Sequence, residues 1–338
     1  MDLNTAWFLL IWVLLGGYAI LDGFDLGVGV LHLFARDEHE RRIHIGAIGP
    51  FWDGNEVWLL TGGGALFAAF PIVYATVFSS FYLALMLLLL ALIFRAVSLE
   101  FRGQVDSPGW RRFWDWAFGL GSLLPAILLG VAIGNILRGI PIEADGAANV
   151  SLVSLLNPYA LLIGVLSLAM FTMHGAAFMA VKTEGDLQQR MVRWASGVWV
   201  VFIVLYLAAF ATTFFAAPFL FEGALSRPLF WVFLVLLLLA AVCIPVANRA
   251  GEHLRSFLAS SVSIASVMGL AAVCLFPRMV PSSLDLTNSL TIYNASSTPR
   301  TLTVMLVIAL IGMPIVIAYT AYVYRVFASK VIVDAEGY

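Results

Sequence analysis

Long apolar stretches alternate along the chain with short polar connectors, and each stretch is close to the length that crosses a bilayer. A spanning helix takes about 20 mostly apolar residues. Nine stretches meet that length: 6–33, 51–73, 77–100, 114–137, 157–181, 192–217, 228–248, 254–277 and 301–326. Turn formers and charges collect between them, in "ARDEHERRIH", "RGQVDSPGWRR", "RGIPIEADGAANVS", "KTEGDLQQR", "FEGALSRP", "NRAGEH" and "PRMVPSSLDLTNSLTIYNASSTPR". None of these connectors is long enough for a soluble domain. The pattern therefore predicts an all-α polytopic membrane protein, one membrane-embedded unit over residues 1–338 with about nine transmembrane helices. The first stretch starts almost at Met1, yet it is longer and more polar toward its end than a cleaved signal peptide.

Composition agrees with lipid as the solvent: 62% of residues are apolar and only 11% charged. A net charge of −2 leaves no basic face for nucleic acid. The basic residues set an orientation, because cytoplasmic loops carry the excess of Lys and Arg. With the N-terminus outside and the helices alternating, 14 of the 18 basic residues fall inside, and only Arg138, Arg227, Arg278 and Arg300 fall outside. The loop around Asp145 is then external, and Tyr338 is cytoplasmic. Cys243 and Cys274 would lie at opposite membrane depths and read as small packing residues.

Against this apolar background a few charges stand out. "AILDGFDLGVGVL" puts Asp22 and Asp25 on one helix face in the inner half of the first span, and "GPFWDGNEVWLLTGGGALFAAFP" puts Asp53 and Glu56 on one face at the start of the second. "LIFRAVSLEF" adds Arg95 and Glu100 near the inner end of the third span, and "FTMHGAAFMA" places His174 at similar depth in the fifth. Ionisable groups inside a span usually mark a conducting path. Asp53 and Glu56 have a second reading, as complements to the positive end of a helix dipole after Pro50. His174 reads equally as a hydrogen-bonded core histidine. His32, His39, His44 and His253 fall at or beyond span ends and are expected in water. Four carboxyls against one embedded arginine leave charge uncompensated, which a hydrated proton route from the cytoplasm would accommodate. The glycines of "TGGGALFAAF" and "LDGFDLGVGVL" either let helices approach closely or leave room for water and a partner.

The same residues carry a family resemblance. "YAILDGFDLGVGVL", "GPFWDGNEVWLLTGGGALFAAFP", "FRGQVDSPGWRRFWDWAFGLGSLLPAILLGVAIGNIL", "MHGAAFMAVKTEG" and the "LFPRMVPSS" to "SLTIYNASS" segment resemble subunit II of the cytochrome bd quinol oxidases, including the cyanide-insensitive branch. The resemblance runs from the first span to the last. It implies a heterodimer with subunit I in the bacterial cytoplasmic membrane that oxidises quinol, reduces dioxygen to water and generates proton-motive force without pumping. It places two b-type haems, one d-type haem and the quinol-oxidising loop on subunit I. This chain agrees in having no obvious pair of His or Met residues to clamp a haem, and no metal site is expected on it. The residues matched to the family's proposed proton route are Asp22, Asp25, Asp53 and Arg95, while Glu56 and His174 join them from position alone. Trp52 and Trp58 flank the carboxyls as packing residues. Ubiquinol or menaquinol, a small single-span accessory subunit and a structural quinone on this chain are left open. Two other readings stand beside this one: a proton-coupled secondary transporter, disfavoured because the polar residues crowd into the first half, and a purely structural partner subunit.

Overall fold

The computed structural model describes residues 2–144, 146–148 and 150–331. Asp145 and Tyr338, on which sidedness was to be read, lie outside the described residues. The chain forms helices α1 (Leu3–His32), α2 (Glu38–Ile48), α3 (Trp52–Ala69), α4 (Pro71–Ser80), α5 (Tyr82–Phe101), α6 (Pro108–Arg138), α7 (Leu152–Leu155), α8 (Pro158–Lys182), α9 (Gly185–Ala216), α10 (Pro228–Ala250), α11 (His253–Leu275) and α12 (Pro299–Val326). Local chemistry sets many of the boundaries. Proline opens α4, α6, α8, α10 and α12, where its missing N–H is not needed. Asp37 and Asn157 cap α2 and α8 by accepting from backbone N–H groups two or three residues into the helix.

Among the described residues, eight of these helices are long and apolar enough to cross a membrane by length and composition, against the nine spans expected. The difference lies in the second expected span, 51–73. Phe70 leaves helical geometry (φ −134°, ψ 67°) just before Pro71, so this stretch becomes α3 followed by the start of α4. The third expected span correspondingly starts at Tyr82 rather than residue 77. Asp53, Asn55 and Glu56 make α3 too polar to count with the others. A second departure from the all-α expectation is a small antiparallel ribbon, β1 (Arg278–Val280) and β2 (Leu290–Thr291), in the last long connector. Its apolar residues join Trp7, Phe8 and Ile11 and close the bundle over the start of α1.

α1 and α8 form the enclosed centre. α1 packs against α3, α6, α8 and α11, while α8 packs against α6 and α9. The closest approach is backbone to backbone: a Cβ added at Gly27 would stand 1.9 Å from the Phe171 carbonyl oxygen, and Gly175 faces Gly27 in return. α12 is the least enclosed of the long helices. Its end is nevertheless anchored, because the Lys182 ammonium donates to the carbonyls of Phe327 and Ser329. The two cysteines are free.

Candidate functional site

Because neighbours surround α1, its two carboxyls are sealed inside the chain. Asp22 and Asp25 are fully buried, as is Arg95, which reaches them from α5. Arg95 grips Asp22 with two nitrogens: Nη1 donates to Oδ2 at 2.8 Å and Nη2 donates to Oδ1. The same Nη2 lies 4.0 Å from Oδ2 of Asp25. Asn55 of α3 donates from Nδ2 to that Asp25 oxygen at 2.8 Å and to the Leu21 carbonyl at 3.1 Å. Its own Oδ1 accepts from the Tyr324 hydroxyl of α12 at 3.1 Å. Four helices thus meet in one polar seam.

Buried charges persist only where they are paired and hydrogen-bonded. Here the pairing is incomplete. Asp25 Oδ1, Arg95 Nε and the Tyr18 hydroxyl, all buried, find no hydrogen-bond partner among the described residues. Two carboxylates against one guanidinium also leave one negative charge uncompensated.

The other expected residues are placed differently. Asp53 stands in the first turn of α3, exposed on the outer surface of the chain, where the helix dipole favours a carboxylate. Glu56, one turn on, is half-buried and close enough to feel the charges of Arg95 and Asp22 on one side and Asp53 on the other, but it hydrogen-bonds none of them. Glu100 is exposed. His174 is fully buried and both its nitrogens are occupied: Nε2 donates to the Ile20 carbonyl at 3.0 Å and Nδ1 accepts from Ser260 Oγ at 2.6 Å. Its ring stacks on Phe257. The structure therefore brings Asp22, Asp25 and Arg95 together, sets Glu56 beside them, and keeps Asp53 and His174 apart from their hydrogen bonds. Trp58 packs its ring against Gly17, whereas Gly63 and Gly64 meet nothing within 4 Å and lie on the open side of α3.

A second cluster gathers at the His32 end of α1. His32 Nε2 donates to Asp115 Oδ1 at 2.8 Å. Asp115 also accepts from Arg102 Nε at 2.5 Å and Arg41 Nη1 at 3.3 Å, and Arg102 Nη2 reaches Glu38 at 2.8 Å. His44 lies alongside, its ring 5.8 Å from that of His32. His32 and His44, expected in water, are both buried, because α2 folds back beneath α1 and turns Ala47 and Ile48 into the core around Phe178 and Met179. His39 is exposed as expected, and His253 is half-buried. Burial, with His32 and Arg190 nearby, pushes His44 down to about 3. Sequence reasoning missed this cluster and Asn55. Two signals were present: an Asp within "RRFWDWAF", and His32 two turns after Asp25 on the same face.

Three comparisons place the chain among known proteins. The family profile of cytochrome bd terminal oxidase subunit II matches residues 3–327. The cytochrome bd ubiquinol oxidase subunit 2 of Bacillus subtilis is 40% identical over 98% of this chain and 97% of its own length. The cytochrome bd-I ubiquinol oxidase subunit 2 of Escherichia coli K12 is 37% identical over 95% and 93%. The fold resembles a chain of the bd oxidase from Geobacillus thermodenitrificans, with a TM-score of 0.78 and 18% identity over 97% of this chain and 99% of that one. With a profile that spans nearly its whole length and full-length relatives near 40% identity, this chain belongs to the cytochrome bd terminal oxidase subunit II family.

Proposed function

We propose that this chain works as the second subunit of a quinol-oxidising, dioxygen-reducing oxidase in the bacterial cytoplasmic membrane, bracing a haem-bearing subunit I and feeding it protons from the cytoplasm through the Asp22–Asp25–Arg95 seam. Membership in the family and the eight apolar helices support the oxidase setting. The observation that carries the proton role is the incomplete seam: a sealed carboxyl, Asp25, with one oxygen unpartnered and only a shared claim on the guanidinium. A purely structural ion pair needs one carboxylate, and Asp22 already fills that place. Asp25 adds a group that can hold and release a proton, and Asn55 fixes its position.

In this reading the N-terminus is outside and the His32 end faces the cytoplasm, as the basic residues argue. Asp53 and Glu56 lead from the seam to the open face of α3, where Leu60 and Phe67 are also exposed, and that face meets subunit I. The two b-type haems and the d-type haem belong to that subunit. When bound there they supply electron transfer and dioxygen reduction. His174 does not fit an axial ligand, because both ring nitrogens are already hydrogen-bonded.

The test is oxygen uptake by the assembled complex, normalised to haem d. Asp25→Asn keeps size and still accepts from Asn55, yet removes a proton site; turnover is expected to fall at least tenfold with haem content intact. Full turnover in an assembled Asp25→Asn, Asp53→Asn double variant would refute the proton role and leave the chain as a scaffold.

A further inference from the structure

The cluster at the His32 end has no part in the seam, yet a line of polar side chains joins the two. Along α1, Asp22, Asp25, Gly29 and His32 fall on one face at i, i+3, i+7 and i+10. On α5, Arg95 and Ser98 repeat the first steps of that spacing, and Arg102 follows at its end; on α6, Asp115 and Ser122 are two turns apart. Every one of these side chains is buried. α6 packs against both α1 and α5, so the three rows face one another.

Their midpoint is Gly29. A Cβ there would fall 1.9 Å from Ser122 Oγ, so the serine hydroxyl occupies the space a side chain on α1 would take. It lies between Asp25 and His32, about 6 Å and about 4.5 Å along the axis from their respective positions. At the far end, a cavity of about 310 Å³ touches His32, Arg41 and Asp115 and is bordered by the exposed Arg112 and Trp116. His32 Nδ1 and both nitrogens of His44 have no partner among the described residues. Buried polar atoms in that condition are satisfied by water.

We propose that this row is the proton inlet of the seam, an inference that rests on the proton role given to Asp25. Water in the cavity delivers a proton to the His32–Asp115 pair, and it passes by way of Ser122 and bridging water to Asp25. Each hop breaks one O–H or N–H bond and forms the next, and no electron moves within this chain. Ser122, which donates to the Phe118 carbonyl at 2.8 Å, keeps lone pairs to accept a proton as it releases its own. The charged groups around the two histidines are Arg41 from α2, Arg102 after α5, Asp115 from α6 and Arg190 from α9.

The experiment compares Ser122→Ala, His32→Gln and Asp25→Asn in the assembled oxidase, with Ser266→Ala, a buried α11 serine of similar local bonding, as control. Oxygen uptake per haem d is followed from pH 6 to 9 and in heavy water. Ser122→Ala is expected to lower turnover at least fivefold, with the loss deepening as pH rises and the solvent isotope effect increasing, while Ser266→Ala matches wild type. If His32→Gln does not assemble, Ser122→Ala decides alone. Wild-type turnover in Ser122→Ala beside an inactive Asp25→Asn overturns the inlet and leaves the seam; wild-type turnover in both overturns the seam itself. A drop in Ser122→Ala with unchanged pH profile and isotope effect is a packing defect and also overturns the inlet.

Discussion

Asp22 and Asp25 on α1 and Asp53 and Glu56 on α3 share an i,i+3 spacing and lie toward the same end of the bundle, but they meet opposite surroundings. The α1 pair is fully buried on a helix that packs against α3, α6, α8 and α11, and it is answered by Arg95 and Asn55. The α3 pair begins at the chain's outer face, with Asp53 exposed and Glu56 only half-covered. An i,i+3 spacing tells which residues share a face and nothing about what that face touches. The two pairs therefore differ in kind: α1 buries its charge within this chain, and α3 leaves Asp53 on an exposed face.

The sharpest way to break this contrast is to remove the arginine's partner. Asp22→Asn strips a fully buried guanidinium of its two-pronged acceptor, and breaking a buried pair costs about 3–5 kcal/mol. The expected result is loss of assembled, haem-containing complex on purification. Asp53→Asn, made on the exposed face, is expected to cost below ~1 kcal/mol and to assemble normally. Equal yields from the two variants would erase the distinction.

Asn55→Ala sharpens it further, because Asn55 is the one side chain of α3 that enters the seam. Its loss leaves Asp25 without its only hydrogen-bond donor among the described residues and removes the contact with Tyr324. A destabilisation of about 1–3 kcal/mol is expected, read as a lowered thermal midpoint of haem retention.

A smaller effect concerns pH at the His32 end. His44 is held down to about 3 in the folded chain against an ordinary 6.5. Between those values the unfolded chain binds a proton that the folded chain refuses, so stability falls as pH drops through that window, by up to about 1.4 kcal/mol per pH unit. His44→Phe removes the titrating group and is expected to flatten the acid side of a thermal-midpoint profile between pH 6.5 and 4, with little change above pH 7.

Much of this was legible in the residues. Apolar run length located eight of the spans to within a few residues at most ends, because a bilayer imposes one length on every crossing helix. It did not show the break at Phe70 and Pro71, which makes no mark on hydropathy, and α3 before that break drops out of the count because Asp53, Asn55 and Glu56 make it polar. Asp22, Asp25 and Arg95 were visible as charges in greasy surroundings. The burial of His32 and His44 was not, since it depends on α2 folding back under the bundle, and a connector's polarity alone does not fix that path. Asn55, neutral and placed between two acids, was overshadowed by them although it makes the seam's hydrogen bonds.

The central claim is that Asp25 passes protons, and the most direct measurement is proton uptake itself. The fully reduced oxidase, sealed in vesicles with a pH dye on the His32 side, is mixed with dioxygen, and the rate of proton disappearance is followed with haem oxidation in the same sample. The account predicts that Asp25→Asn slows proton uptake at least tenfold while the first electron-transfer step to dioxygen keeps its wild-type rate. Proton uptake from that side at the wild-type rate in Asp25→Asn would contradict it.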